Sequence, residues 1–165
     1  MKTRLMKRMV VLVVMALSTT FLLAQEKGEM AAGLNLSYGS KTGYTNIGIG
    51  AKFQYNITDN LRIEPSATYF LKKDYVSMWD ANANVHYLFG LSDSFRLYPL
   101  AGVALVGVKV GVGEYSASDS KFGFNVGAGA EYLLSETLAL NLEIKYQIVT
   151  DLDRPVFSLG LAYKF

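Results

Sequence analysis

From Met30 onward the chain alternates apolar and polar residues with a period of two, the mark of a strand whose faces meet different surroundings. Met30–Tyr38 sets Leu34, Leu36 and Tyr38 against Gly33, Asn35 and Ser37. Tyr44–Ile57 sets Ile47, Ile49, Ala51, Phe53, Tyr55 and Ile57 against Asn46, Gly48, Gly50, Lys52, Gln54 and Asn56. Leu61–Leu71 opposes Leu61, Ile63, Ala67, Tyr69 and Leu71 to Arg62, Glu64, Ser66 and Thr68. Met78–Phe89 opposes Trp79, Ala81, Ala83, Val85, Tyr87 and Phe89 to Asp80, Asn82, Asn84 and His86. Phe95–Val108 is the least regular, because both faces turn apolar after Pro99. Lys121–Leu134 alternates Phe122, Phe124, Val126, Ala128, Ala130 and Tyr132 with Gly123, Asn125, Gly127, Gly129 and Glu131. Leu138–Ile148 runs Leu138, Leu140, Leu142, Ile144, Tyr146 and Ile148 against Asn141, Glu143, Lys145 and Gln147. The last run sets Phe157, Leu159, Leu161, Tyr163 and Phe165 against Ser158, Gly160, Ala162 and Lys164. The pattern predicts eight strands and an all-β fold.

The connections alternate as well. Thr58-Asp59-Asn60, Gly90 to Ser94 and Ser135-Glu136-Thr137 have the Asp, Asn, Ser and Gly chemistry of tight turns. Between them lie longer links: Gly39 to Gly43, Lys72 to Ser77, Lys109 to Ser120, and Thr150 to Pro155. Tight turns at one end and looser links at the other predict an antiparallel up-and-down barrel, with the short set on the periplasmic side.

Period two does not by itself say which face is outside. An eight-stranded barrel has an interior just wide enough for side chains to fill. The large apolar and aromatic set would overfill it. The opposite face is rich in Gly, Asn and Ser with a few charges of both signs, which suits a cramped lumen and not a soluble exterior. Tyr38, Tyr55, Tyr69, Trp79, Tyr87, Phe89, Phe95, Phe122, Tyr132, Tyr146, Phe157, Tyr163 and Phe165 lie mostly near strand ends on the apolar face, as two interfacial girdles require. A bilayer also forbids open sheet edges, so the sheet closes. The fold class is therefore an eight-stranded antiparallel transmembrane β-barrel with its apolar face toward lipid.

The N-terminus supports export. Lys2, Arg4, Lys7 and Arg8 precede the apolar run Val10–Leu17, and Phe21-Leu22-Leu23-Ala24 leads to Gln25. A basic start, a short apolar core and a small final residue read as a signal peptide over 1–24, leaving a barrel domain over 25–165. The uncharged stretch Met9–Ala24 falls short of the roughly 20 residues of a spanning helix. The chain has 16 basic and 14 acidic residues. Without the four basic residues of the leader the mature part is slightly acidic, so no nucleic-acid partner is expected. The absence of cysteine excludes disulfides and an acylated N-terminal cysteine.

Leu159-Gly160-Leu161-Ala162-Tyr163-Lys164-Phe165 resembles the terminal strand signal of outer-membrane barrels. With the eight predicted strands, the chain from about residue 28 to 165 resembles the small outer-membrane barrel family that includes the membrane domain of outer-membrane protein A and outer-membrane protein X. Unlike in outer-membrane protein A, no peptidoglycan-binding domain, and so no cell-wall tether, is expected after the last strand. The resemblance implies integral location in the outer membrane of a Gram-negative-type bacterium, contact with outer-membrane lipids, and a monomeric state. It also implies handling by periplasmic chaperones and by the barrel-assembly machinery, which would read Tyr163 and Phe165.

The candidate chemistry is a lumen polar network: Lys52, Arg62, Glu64, Asp80, His86, Arg96, Glu131, Glu143 and Lys145. Buried charges persist only when paired, so these predict a salt-bridged plug; an ion path or small porin is the alternative. His86 is the one histidine, and Ser66 with Asp80 or Glu64 would complete a nucleophilic set. Eight-stranded lipid A deacylases and palmitoyl transferases make a lipid-modifying enzyme conceivable. A lumen-facing His86 has no access to lipid, however, and no enzyme activity is expected. One His without Cys predicts no transition-metal site, and Asp151 with Asp153 is too small a set for calcium. No cofactor is expected. Gly107–Gly113 lacks the ending of a phosphate loop. Lys72 and Lys73 could meet lipopolysaccharide phosphates, and the link Lys109–Ser120, with Glu114, Tyr115 and Asp119, is the candidate for surface adhesion.

Overall fold

The computed structural model describes residues 28–41 and 44–165. The predicted signal peptide, 1–24, and the first residues of the predicted barrel domain lie outside them, as do Thr42 and Gly43 of the first link. Every regular element among the described residues is a strand: β1 (Met30–Lys41), β2 (Tyr44–Asn56), β3 (Leu61–Lys73), β4 (Val76–Tyr87), β5 (Phe89–Gly90), β6 (Phe95–Val112), β7 (Tyr115–Leu133), β8 (Leu138–Val149) and β9 (Arg154–Lys164). The two-residue β5 continues β4 after Leu88, so the two form one stave, and the staves number eight.

Each stave pairs antiparallel with its sequence neighbours, and β1 closes the ring against β9 from Ala31↔Lys164 to Gly39↔Val156. Closure leaves no edge within the wall, as a bilayer demands. Alternation in sequence becomes inside and outside. Leu36, Ile49, Phe124, Ile144 and Leu159 are exposed on the outer surface, while Gln54, Arg62, Asn84, Glu131 and Gln147 are buried. The barrel is thus apolar outside and polar within.

The outer aromatics fall into two bands. Tyr38 faces Phe157 and Tyr69 faces Trp79 toward the end with the longer links. Tyr87 and Phe89, Phe95 beside Tyr132, and Phe53 near Phe165 mark the other end.

All four longer links differ from expectation. The first, expected over Gly39 to Gly43, is shortened because Gly39, Ser40 and Lys41 already pair with Asn46, Thr45 and Tyr44. The third is no irregular loop: β6 and β7 remain paired out to Val112↔Tyr115, and the chain turns at Gly113, whose φ is +61°. Alternating Ser and Val residues there carry the ladder beyond the wall. The second link shrinks to a turn at Asp74 and Tyr75, because Lys73 pairs with Val76. The fourth ends at Asp153, since Arg154 and Pro155 already belong to β9. The irregular fifth run is explained by what it faces. Tyr98, Leu100, Ala104 and Val106 point inward and are buried, so the lumen is apolar along this stave.

Candidate functional site: the barrel lumen

Inward residues of all eight staves meet in layers. At the end with the tight turns, Lys164 Nζ lies 3.0 Å from Glu29 Oε1, and Arg96 Nη1 lies 3.6 Å from Glu131 Oε2. Glu131 has no solvent exposure. It accepts hydrogen bonds from both Arg62 terminal nitrogens at 3.2 and 3.3 Å, and from Asn141 Nδ2 at 3.1 Å. Arg62 Nε donates to Asn56 Oδ1 at 2.9 Å, which holds the guanidinium plane in place for this two-pronged contact.

The middle layer holds two carboxylates, each with its own cation. Glu64 accepts from Gln54 Nε2 at 2.6 Å and lies 3.8 Å from Lys52 Nζ. Glu143 accepts from Tyr98 Oη at 3.2 Å and lies 3.9 Å from Lys145 Nζ. The Tyr98 ring stacks on His86, with centroids 4.4 Å apart and planes 11° from parallel. Gly129 makes this possible, because a Cβ there would collide with the Tyr98 ring. Above comes an amide layer, in which Asn125 Nδ2 donates to Asn82 and Asn84 Oδ1, both at 2.8 Å.

In the upper layer Asp80 accepts from Asn82 Nδ2 at 2.8 Å, Gln147 Nε2 at 3.0 Å and Arg154 Nη2 at 3.4 Å. Arg154 in turn lies over the buried Phe70 ring, 4.2 Å from its centroid. Ala104, Val106 and Val149, with Met78 and Leu152 packed on them, cover the polar column at this end. An opening in the column is bordered by Asn35, Lys52, Glu64, Ser66, Glu143 and Lys145; at about 10 Å³ it is at the lower limit for one water.

All nine residues singled out from the sequence lie in the lumen, Arg96 nearest a mouth with 13 % of its side chain exposed. They do not form one cluster. Asp80 stands with Arg154 in the upper layer, away from His86, while Glu64 Oε1 lies 3.9 Å from His86 Nε2. Neither ring nitrogen of His86 has a hydrogen-bond partner, so no nucleophile is engaged by it. Glu64, His86 and Glu143 do place ligand-type atoms within 4.8 Å of one another. Spacing in sequence did not reveal that grouping. Lys52 and Lys145 already supply counter-charge to both carboxylates, and a dication there would meet two ammonium groups at close range.

Arg154, Tyr98 and Phe70 are lumen residues that the sequence reading passed over. Arg154 was hidden by Pro155 and by the assumption of a loop; counting back in twos from Ser158 through Val156 places it inside. Tyr98 follows Arg96 in the same way. At the C-terminus Phe165 is half exposed on the outer face, beside Phe53 with ring centroids 6.3 Å apart. Tyr163 pairs with Ala32 and Leu138.

A closed eight-stave barrel, apolar without and ion-paired within, defines a small outer-membrane barrel. The sequence profile of the outer membrane protein beta-barrel domain matches residues 9–165, and the chain belongs to that family. It is 26% identical over 127 residues to outer membrane protein X of Escherichia coli strain K12, covering 72% of this chain and 74% of that protein. Its fold is similar to the N-terminal β-barrel domain of Pseudomonas aeruginosa OprF, with a TM-score of 0.68 and 19% identity over 84% of this chain and 99% of that one. It is similar also to Ail, the attachment invasion locus protein of Yersinia pestis, with a TM-score of 0.64 and 20% identity over 87% of this chain and all of that one (100%). The protein is an integral outer-membrane barrel of Gram-negative bacteria, with membrane lipid around its wall.

Proposed function

We propose that this protein is a structural, monomeric outer-membrane barrel whose lumen is plugged, with surface recognition assigned to the β6–β7 hairpin. The plug rests on one observation: each buried carboxylate in the lumen has a cation or several donors at its own level, and the opening between Lys52, Glu64 and Lys145 has room for about one water. An ion would have to displace these partners layer by layer. Planar bilayers with the folded protein test this directly. No discrete current steps are expected; regular steps above the bare-bilayer background would establish a small channel instead. His86 is fully buried beneath the Tyr98 ring on the lumen side of the wall, away from lipid, which supports a non-enzymatic role.

For recognition, β7 supports the assignment. Its segment 115–122 pairs with β6 on one side, whereas β8 joins only at Gly123↔Val149. Its other edge therefore offers free backbone donors and acceptors outside the wall, and Tyr115 at its tip is 86% exposed. Ail, named as an attachment protein, has a barrel of the same fold. Replacing residues 108–119 by a two-residue Asn-Gly turn should preserve the folded barrel and abolish attachment of expressing cells to host surfaces. Unchanged attachment would remove the adhesive role. For biogenesis, Tyr163 and Phe165 are assigned as the signal read by the assembly machinery, with periplasmic chaperones as earlier partners.

A further inference from the structure

A groove of about 580 Å³ lies on the outer side of the wall at the extracellular rim, between the β3–β4 turn and the β6–β7 hairpin. Tyr69 and Trp79 form its floor on the lipid-facing surface, and Lys72, Tyr75 and Lys109 rise beside them. We propose that this groove binds the phosphorylated sugar headgroup of an outer-leaflet glycolipid.

Three local departures from regular β-structure converge on it. First, the β3–β4 register shifts between Phe70 and Lys73. In unbroken alternation Lys72 would point the same way as the buried Phe70; instead it lines the groove with Tyr69, as a bulge that re-aims a side chain allows. Second, Asp74 and Tyr75 both adopt left-handed backbone angles, φ +50° and +67°. A two-residue turn of this kind strongly favours Gly in its second position, and an aromatic residue there is strained. The strain presents the Tyr75 ring, 62% exposed, to the groove, with Lys72 Nζ 5.9 Å from its centroid. Third, Trp79 pairs across the ladder with Gly107, and a Cβ at 107 would collide with the indole. The glycine lets the ring lie flat against the wall as the groove's floor.

The chemistry selects the occupant. Two lysines near an aromatic floor suit an anionic group at the membrane–water boundary. Ser77, Ser118 and Ser120, on the same face of the ladder as Trp79 and Lys109, supply hydroxyls, which match sugar hydroxyls better than a glycerol phosphate. The phosphate belongs on the Lys72–Lys109 side. The outward wall below the groove is already an acyl-chain surface, so a glycolipid satisfies both ends of the site.

Trp79 is the one tryptophan of the chain, which makes the groove its own reporter. Folded full-length protein in neutral detergent is titrated with bisphosphorylated lipid A, with phosphatidylglycerol, and with inorganic phosphate, while indole emission is followed. Lipid A is expected to give a saturating blue shift, and the other two no saturating response. Each lysine near a charged surface is worth about a fivefold factor in affinity, so Lys72→Ala with Lys109→Ala should weaken lipid A binding roughly thirtyfold. Tyr75→Gly relieves the strained turn and should fold at least as well, yet bind less tightly. An equal response to phosphatidylglycerol, or a double-lysine variant that titrates like the wild type, overturns the assignment. A Tyr75→Gly protein of undiminished affinity overturns the role given to the ring.

Discussion

Replacing Glu131 by alanine removes the acceptor on which the lower lumen converges. Its carboxylate has no solvent exposure and receives two bonds from Arg62, one from Asn141, and the charge of Arg96 at 3.6 Å. Taking away one partner of a buried pair costs about 3–5 kcal/mol, because the other charge stays behind without compensation. Here the stranded group is chiefly Arg62, 1% exposed and held by Asn56. Arg96, partly exposed at the mouth, can turn to water and adds little. Glu131→Ala should therefore lose about 3–5 kcal/mol in reversible urea unfolding from lipid vesicles, followed by tryptophan emission. Removing both partners gives the control: Arg62→Met with Glu131→Met replaces the pair by apolar volume and should cost less than half as much. If the single variant loses under about 1 kcal/mol, the range of a solvated surface pair, then water reaches this layer and the dry, plugged lumen is refuted.

The remaining predictions follow from packing, lipid contact and export. Gly129→Ala forces the Tyr98 ring off His86 and away from Glu143, and should destabilise by about 1–3 kcal/mol in the same unfolding assay. Gly160→Ala meets Lys52 Nζ at 3.0 Å and the Leu34 carbonyl oxygen at 3.1 Å, with no ring against it and no contact as close as that at Gly129, so its loss should be clearly smaller; equal losses would mean that ring packing is not what Gly129 serves. Leu159→Arg places a charge on the outer wall beside Leu36 and Leu142. It should cost about 2–4 kcal/mol in a bilayer, whereas a water-facing wall would register under about 0.5 kcal/mol. Deleting Phe165 should reduce the heat-modifiable form in the outer-membrane fraction without destabilising protein refolded in detergent; undiminished assembly in cells would release Phe165 from the role of signal.

The wall was legible in the sequence because a bilayer and a narrow lumen impose opposite chemistry on alternate residues. Ile144 and Lys145 could be assigned to opposite faces from spacing alone. Partner choice was not legible. Which carboxylate meets which cation depends on the stagger between staves, and Arg62 reaches Glu131 across 69 positions of sequence. Alternation also failed where the lumen turns apolar, as at Tyr98 and Phe70, because an apolar residue inside looks the same as one outside. The long hairpin was misread for a related reason. Ser116, Ser118 and Ser120 carry the weak strand propensity of a loop, yet each is paired across from β6.

The distribution of charge within the lumen bears on conduction more than its total. Glu29 stands with Lys164, Glu131 with Arg62, Glu64 with Lys52, Glu143 with Lys145, and Asp80 with Arg154. Neutrality is met level by level, so no stretch of the column offers a passing ion a net field of one sign. A conducting barrel needs such a field, or water between the pairs, to replace the hydration shell an ion gives up. Among the described residues Arg96 is the cation left over, sharing Glu131 with Arg62 at the mouth, where water can solvate it. Placing the one surplus charge at the rim keeps the interior balanced. Adding a further charge inside, as Gly129→Lys would do beside Tyr98, should cost more stability than the uncharged Gly129→Met of similar length. Equal losses for the two would show that the lumen tolerates an unpaired charge, and the plug would then have no electrostatic basis.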